Sequence, residues 1–242
     1  MLDLINHILR ISPHRDRTEI NAAMVDALVD FFHPAQLTIF RCYANKRGLT
    51  LFACAGHNEN GNFIRNAYLP ERHYCQPLDH NPLHQQCVAN KSALMDRNPD
   101  GSHRVIFPVF RGDMPAYLID LTLSADLSPD QRVTLMGLIE YFGNHIALLD
   151  YGETDTLTNL ASRKTFDKHL FELLGQASSD NPAYPPARRR HVPTGSHWIA
   201  VCDIDHFKQV NDNFGHLIGD EVLVSLAQVM RQAFHFDDQL FR

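Results

Sequence analysis

Two carboxylates and a lysine stand close together in a polar run near the C-terminal end of the sequence. Residues 198–202 have the apolar, β-prone composition of a strand, and Asp203 and Asp205 follow them directly. Because strand side chains alternate, both carboxylates should lie on the same side. Carboxylates there suit a hard cation such as Mg²⁺, which shares its coordination with substrate phosphates. The run predicts a metal and phosphate site, although two such carboxylates alone are more typical of surface charges.

A short helix should follow the carboxylates. Phe207, Val210 and Phe214 recur at helical spacing and would form its apolar face. The backbone amides of the first turn, near Phe207 and Lys208, could bind phosphate oxygens, and Lys208 adds a cation there. The segment therefore predicts a nucleotide-handling site.

The complete segment resembles the GGDEF domain family, the diguanylate cyclases that condense two GTP molecules into cyclic di-GMP. The pattern D-x-D-x-F-K-x-x-N-D-x-x-G-H-x-x-G-D-x-x-L is matched at every fixed position from Asp203 to Leu223. Residues 155–164 also resemble the start of that domain, D-x-L-T-G-L-x-N-R-R. Three positions differ from this second pattern: Asn159 replaces Gly, Ser162 replaces Asn and Lys164 replaces Arg.

The resemblance implies a role for each matched residue. Asp203 would be a metal ligand for Mg²⁺ or Mn²⁺, assisted by the carbonyl of Ile204, and Asp203 and Lys208 would be catalytic. The residues implied to bind GTP are Phe207, Lys208, Asn211, His216 and Asp220. Among these, Asn211 and Asp220 would be a buried amide and carboxylate that hydrogen-bond the guanine edge, because rejection of ATP requires such groups. Each domain would hold one GTP, so activity would need a homodimer.

The resemblance also predicts what is missing. Members of the family carry a Gly-Gly-Asp/Glu-Glu-Phe turn that supplies another metal carboxylate. In this sequence, residues 240–242 resemble the segment just before that turn, and the sequence ends at Arg242. We expect the chain as given to lack a metal ligand and to be inactive as a cyclase, and the strand at 199–202 to leave an uncovered sheet edge.

The family's inhibitory R-x-x-D motif would fall at His235 and Asp238. Without the arginine, we expect no tight inhibitory cyclic di-GMP site.

The first 150 residues predict a separate α+β domain. The predicted elements are a helix at 18–32, a hairpin of strands 37–43 and 49–54, a helix at 82–95, a hairpin of strands 105–110 and 116–123, and a long helix beginning with the capping box Ser128 to Gln131. This order resembles GAF-type sensor domains with an antiparallel sheet and a C-terminal connecting helix. Residues 151–242 would be the first part of a palm-like nucleotide-cyclase α/β domain, with a Pro- and Arg-rich insert at 178–196.

Two further features leave alternatives open. His73, Cys75, His84 and Cys87 could hold zinc or haem, but complete ligand spacing is missing. The apolar stripe of the long helix should be partly core and partly a dimer seam. Its members are Leu135, Leu138, Phe142, Ile146 and Leu149.

Composition narrows the class of protein. A net charge of -6 and a pI near 6.2 argue against a nucleic-acid binder. The five cysteines form no C-x-x-C pair, which favours reduced thiols. With no apolar run of about 20 residues, we expect a cytoplasmic protein without membrane segments.

The leading hypothesis is a diguanylate cyclase controlled by a sensor domain with an unknown small-molecule ligand. The alternatives are a truncated, inactive relative acting as a ligand sensor or dimerisation module, and a binding module with a vestigial cyclase segment.

Overall fold

A computed structural model describes residues 2–45, 48–68, 70, 72–177, 198–235 and 238–242. The predicted insert at 178–196 lies outside these residues. The chain divides into two compact units, Met1–Asp150 and Tyr151–Arg242.

The first unit contains one antiparallel sheet flanked by helices. Its elements are α1 (Leu2–Ile11), α2 (Arg17–Phe32), β1 (Gln36–Asn45), β2 (Gly48–Asn58), β3 (Gly61–Ile64), β4 (Cys75–Pro77), α3 (Pro82–Asn90), β5 (Leu94–Arg97), β6 (His103–Arg111), β7 (Met114–Leu123) and α4 (Pro129–Glu153). The strand order is β3-β2-β1-β7-β6-β5, with β4 paired to β2. Both predicted hairpins are present, and β1 pairs with β7 to join them. The predicted α+β fold with an antiparallel sheet is confirmed.

The main core lies where the sheet meets α2 and α4. Phe52, Tyr117 and Phe142 are its largest fully buried side chains, and the rings of Tyr117 and Phe142 meet edge to face at 5.3 Å. The apolar stripe of α4 belongs entirely to this core, since Leu135, Leu138 and Phe142 are 0% exposed and the other two are at most 9% exposed. The expectation that this stripe is partly a dimer seam is therefore wrong.

Local capping sets the helix boundaries. At the start of α4, the backbone amide of Ser128 donates to Gln131 at 2.9 Å and the amide of Gln131 donates to the Ser128 hydroxyl at 3.2 Å, which is the predicted capping box. Helix α3 ends at Asn90 because Lys91 takes a left-handed conformation (φ 50°). The predicted extension of this helix to 95 is wrong, and β5 begins at Leu94 instead.

A polar cluster occurs at the α3 side of the sheet. The Asp120 carboxylate accepts from His84 Nε2 at 2.7 Å and from Arg104 Nε at 3.0 Å. Burial alone would raise the pKa of Asp120, but the hydrogen bonds from His84 and Arg104 hold that pKa below its usual value. Cys87 donates its thiol to backbone carbonyls, including that of Ser92 at 3.3 Å. The proposed zinc or haem ligands His84 and Cys87 are thus engaged with protein partners.

The cysteines differ sharply in exposure. Burial raises the pKa of Cys42 and Cys54 to about 12 and that of Cys87 to about 11. Cys75 is half-buried, whereas Cys202 is exposed. Most of the thiols therefore behave as small core side chains.

The second unit contains three helices within its described residues. They are α5 (Arg163–Ala177), α6 (Phe207–Phe214) and α7 (His216–Ala233), and α6 packs against α7. Across the part of the chain that the structure describes, no helix is long and apolar enough to cross a bilayer.

Candidate functional site

A tight turn opens the second unit at the D-x-L-T sequence. Oδ1 of Asp155 accepts hydrogen bonds from the backbone amide of Thr158 at 2.8 Å and from its hydroxyl at 2.7 Å. The guanidinium of Arg242 donates to the same oxygen at 2.7 Å. Burial alone would raise the pKa of Asp155, but these hydrogen bonds and the charge of Arg242 lower it to about 2. The carboxylate is therefore ionised and structural.

The substitution of Asn159 falls inside this turn. Asn159 has φ 55°, and its amide donates to the carbonyl of Asp155 at 2.8 Å. That left-handed conformation explains why the family pattern has Gly here, and Asn tolerates it better than most residues. The substitution is compatible with the fold of the turn.

Residues that are distant in sequence contact the turn at the start of the second unit. The carbonyl of Thr158 accepts from Arg231 of α7 at 2.8 Å. Ala161 forms a parallel bridge with Phe241, whose ring contacts Phe166 of α5 at 5.2 Å. The residues just before the C-terminal end thus pack onto the turn and α5.

The segment before the carboxylates differs from the prediction. Residues 198–202 have no regular structure, and Trp198 and Val201 are 93% and 94% exposed. The predicted strand is therefore wrong in this structure, because no neighbouring strand among the described residues pairs with it. Asp203 and Asp205 are exposed within the same irregular segment. Their expected placement on one side of a strand does not apply.

Helix α6 presents the predicted phosphate-binding turn. His206 precedes it at φ 58°, and no side chain among the described residues caps its N-terminus. The amide of Phe207 donates to the carbonyl of Ile204 at 3.2 Å, while the side chain of Lys208 is exposed. The amide of Gln209 likewise donates to the carbonyl of His206 at 2.8 Å, so the exposed cation of Lys208 lies beside a helix start at which two amides already have backbone partners. Phosphate binding at this turn remains a prediction.

Asn211 packs across the helix pair onto Gly219. A Cβ atom added to Gly219 would lie 1.9 Å from Oδ1 of Asn211 and 3.4 Å from the ring of Phe207. Gly219 is buried, whereas the adjacent Asp220 is exposed, as is His216 at the first position of α7. Asn211 is partly buried, but the expected burial of Asp220 is wrong because this side chain lies on the outer side of α7. The structure thus brings Phe207, Asn211 and Gly219 together.

His235 and Asp238, at the positions of the inhibitory motif, are hydrogen-bonded to each other. The backbone amide of His235 donates to the carboxylate of Asp238 at 2.8 Å, and the amide of Asp238 donates to the carbonyl of His235 at 3.1 Å. The Asp238 carboxylate is therefore engaged with the backbone of His235. The absence of a tight inhibitory site remains a prediction.

The oxygen donors near Asp203 suit Mg²⁺ or Mn²⁺ in kind. The carbonyl of Ile204 accepts one hydrogen bond and retains a second lone pair, and the carboxylates of Asp203 and Asp205 are exposed. Within the described ranges, no group of three or more His, Cys, Asp or Glu side chains converges as a metal cage. A divalent ion here would depend on substrate phosphates for further ligands.

Sequence reasoning missed the partners that are distant along the chain. The contacts of Arg242 with Asp155 and of Arg231 with Thr158 join residues 87 and 73 positions apart. The packing of Asn211 on Gly219 was also missed. The fixed Gly in the motif was its only signal, since a Gly inside a helix often permits a close approach.

Comparisons with known proteins agree with the motif. Residues 153–242 match the family described as diguanylate cyclase, GGDEF domain. The diguanylate cyclase DgcP of Pseudomonas aeruginosa is 37% identical over 89 residues, which cover 37% of this chain and 11% of that protein. The probable diguanylate cyclase DgcI of Escherichia coli is 30% identical over 83 residues, which cover 34% of this chain and 14% of that protein. The chain therefore spans a small part of each relative.

A solved structure resembles the chain more distantly. The GAF domain of an Acinetobacter phosphoenolpyruvate-protein phosphotransferase aligns with a TM-score of 0.47 and 13% identity, over 60% of this chain and 91% of that one. The matched motif between Asp203 and Leu223 and the turn that begins with Asp155 both lie within the range that matches this family, residues 153–242. The segment 153–242 belongs to the GGDEF domain family.

Proposed function

We propose that the chain belongs to a signalling protein that condenses two GTP molecules into cyclic di-GMP under control of its N-terminal unit. The observation that carries this proposal is the α6–α7 pair. Among the described residues, no side chain caps the N-terminus of α6, which lies beside Lys208. The side chain of Asn211 contacts α7 at Gly219. The N-terminus of α6 could bind phosphate, and the side-chain amide of Asn211 on the same helix could hydrogen-bond a base. Together they suit a nucleoside triphosphate.

Each site residue would have a separate task. The first-turn amides of α6 and the ammonium of Lys208 would bind the triphosphate, while Asp203 and the carbonyl of Ile204 would hold Mg²⁺ or Mn²⁺. Asn211 and Asp220 would hydrogen-bond the guanine edge, and His216 would lie beside the nucleotide at the start of α7. A divalent ion supplies activation of the attacking hydroxyl and charge stabilisation at the phosphate.

The reaction needs two copies of the site. The 3′-hydroxyl of one GTP attacks the α-phosphate of the other, and pyrophosphate leaves. Since each copy holds one GTP, the two nucleotides must face one another in a homodimer. The N-terminal unit would then control the reaction by setting the geometry of the pair, in response to a small molecule that the structure does not identify.

Nucleotide binding tests the half-site directly. We expect the 242-residue chain to bind GTP in the presence of Mg²⁺ more tightly than ATP in isothermal titration calorimetry. Lys208→Ala should weaken GTP binding about tenfold, because one cation to phosphate contact is lost. Lys91→Ala is the matched control, since Lys91 is an exposed lysine of the first unit paired with Asp113. Equal binding of GTP and ATP, or no binding of either, would reject the proposal.

A second candidate is a relative without cyclase activity that acts as a ligand sensor or dimerisation module. The exposed, irregular segment 198–202 favours it, because no sheet edge fixes the carboxylates of Asp203 and Asp205. Cyclic di-GMP measured by mass spectrometry after incubation with GTP and Mg²⁺ separates the two candidates. Turnover that Asp203→Asn abolishes supports the cyclase and would reject the inactive relative.

A further inference from the structure

Gly219 occupies a helical position that a larger residue would normally stabilise. It is the fourth residue of α7, and its amide donates to the carbonyl of Gly215 at 3.2 Å, so its backbone is helical. A Gly inside a helix is less stable than Ala. The reason for Gly here must therefore lie in what it contacts.

The contact is with the side chain of Asn211. A Cβ added to Gly219 would come within 1.9 Å of Oδ1 and 3.0 Å of Cγ of Asn211, closer than non-bonded atoms approach. The nearest other atom is the ring carbon of Phe207 at 3.4 Å, an ordinary contact distance. An added methyl group would thus displace one particular group, the Asn211 amide.

We propose that Gly219 is a positioning residue that fixes the Asn211 amide and thereby sets the preference for guanine. The inference rests on the proposed function, in which Asn211 reads the guanine edge. The end of an Asn side chain can rotate away from a methyl group, so the helix pair need not separate. A substitution at Gly219 should therefore alter nucleotide choice while the fold survives.

The test is Gly219→Ala in the complete chain. We expect its Tm to be unchanged or raised by a few degrees, because Ala favours the helix. Its preference for GTP over ATP, measured by calorimetry with Mg²⁺, should fall about tenfold through loss of a base contact. A purely structural role would move the Tm and leave the ratio of the two affinities unchanged.

Two variants make the test specific. Gly152→Ala is the matched control, since a Cβ at Gly152 meets nothing within 4 Å, and it should retain the wild-type ratio. In an Asn211→Ala background, adding Gly219→Ala should change the affinity ratio no further, because the group that it displaces is already gone. The side-chain amide signal of Asn211 in an NMR spectrum should also shift in Gly219→Ala and stay in place in Gly152→Ala.

The outcomes distinguish the inference from the function on which it rests. Wild-type selectivity in Gly219→Ala, or an equal loss in Gly152→Ala, would overturn the inference and leave the proposed function standing. Failure of the wild-type chain to prefer GTP would overturn both.

Discussion

The two units place their charged groups in opposite ways. In the first unit, some charges are buried in pairs, as with Arg17, which is 3% exposed and donates to Asp150. In the second unit, the charges of the candidate site are exposed, including Asp203 and Lys208. The two units also differ at single aromatic side chains, since Phe142 is 0% exposed and Trp198 is 93% exposed. The first unit thus buries part of its charge, whereas the charged side chains of the candidate site in the second unit are open to solvent.

The largest expected effect is on the core of the first unit. Phe142→Ala should lower its free energy of unfolding by about 3 to 5 kcal/mol, because it removes a buried ring and leaves a cavity beside Tyr117. Phe171→Ala makes the same change at a ring that is 72% exposed and should alter stability by less than about 0.5 kcal/mol. Urea unfolding with hydrogen exchange resolved to each unit measures both. Similar losses of stability in the two variants would contradict the difference between the buried ring of the first unit and the exposed ring of the second.

A smaller effect is expected at the buried Asp120. Asp120→Asn removes the charge that pairs with Arg104 and accepts from His84, and it should cost about 2 to 3 kcal/mol at pH 7. Because the folded pKa of Asp120 is lowered, its stabilisation is present above the unfolded pKa of about 3.9 and is lost as the pH falls through the folded pKa.

The difference between Asp120→Asn and the wild-type chain should therefore shrink at pH 3, in urea unfolding measured at both pH values. Asp113→Asn is the matched control, since this exposed carboxylate pairs with Lys91 and should contribute less than about 0.5 kcal/mol. A difference that stays constant between pH 7 and pH 3 would show that the charge of Asp120 does not stabilise the unit.

The smallest effect concerns the backbone of the second unit. Asn159→Gly should leave stability within about 0.5 kcal/mol, because Gly adopts the left-handed conformation freely. Asn159→Val should cost about 1 to 2 kcal/mol, since a β-branched residue is strained there. Thermal unfolding of the three proteins compares them. Equal stability of the Val and Gly variants would show that the turn relaxes.

Local signals predicted most of the first unit. The two hairpins, the helix predicted at 18–32 and the Ser128 capping box depend on residues near one another in sequence, and all are present. The end of α3 was predicted too late because Lys91 adopts a conformation that its residue type does not reveal. The short strands β3, β4 and β5 were not predicted. Strand β4 depends on pairing with β2, which is distant in sequence, whereas β3 and β5 pair with neighbouring strands but span only four residues each.

The sequence predicts which residues form the candidate site better than it predicts how these residues are arranged in space. The motif placed Phe207 and Lys208 at the first turn of α6, where they lie. The strand at 198–202 was predicted from composition, but a strand exists only with a partner, and its residues are exposed. The contact of Asn211 with Gly219 depends on how two helices approach, which no local pattern specifies.

The exposure of Cys202 gives the chain a natural attachment point for a chemical label. Cys42, Cys54 and Cys87 keep their protons at neutral pH because burial raises the pKa of each thiol, and thiolates are the reactive species. Cys202 is exposed and directly precedes Asp203. A maleimide dye should therefore react there first and carry a fluorophore beside the candidate metal ligand, where a change in its emission on addition of GTP would report on the proposed binding.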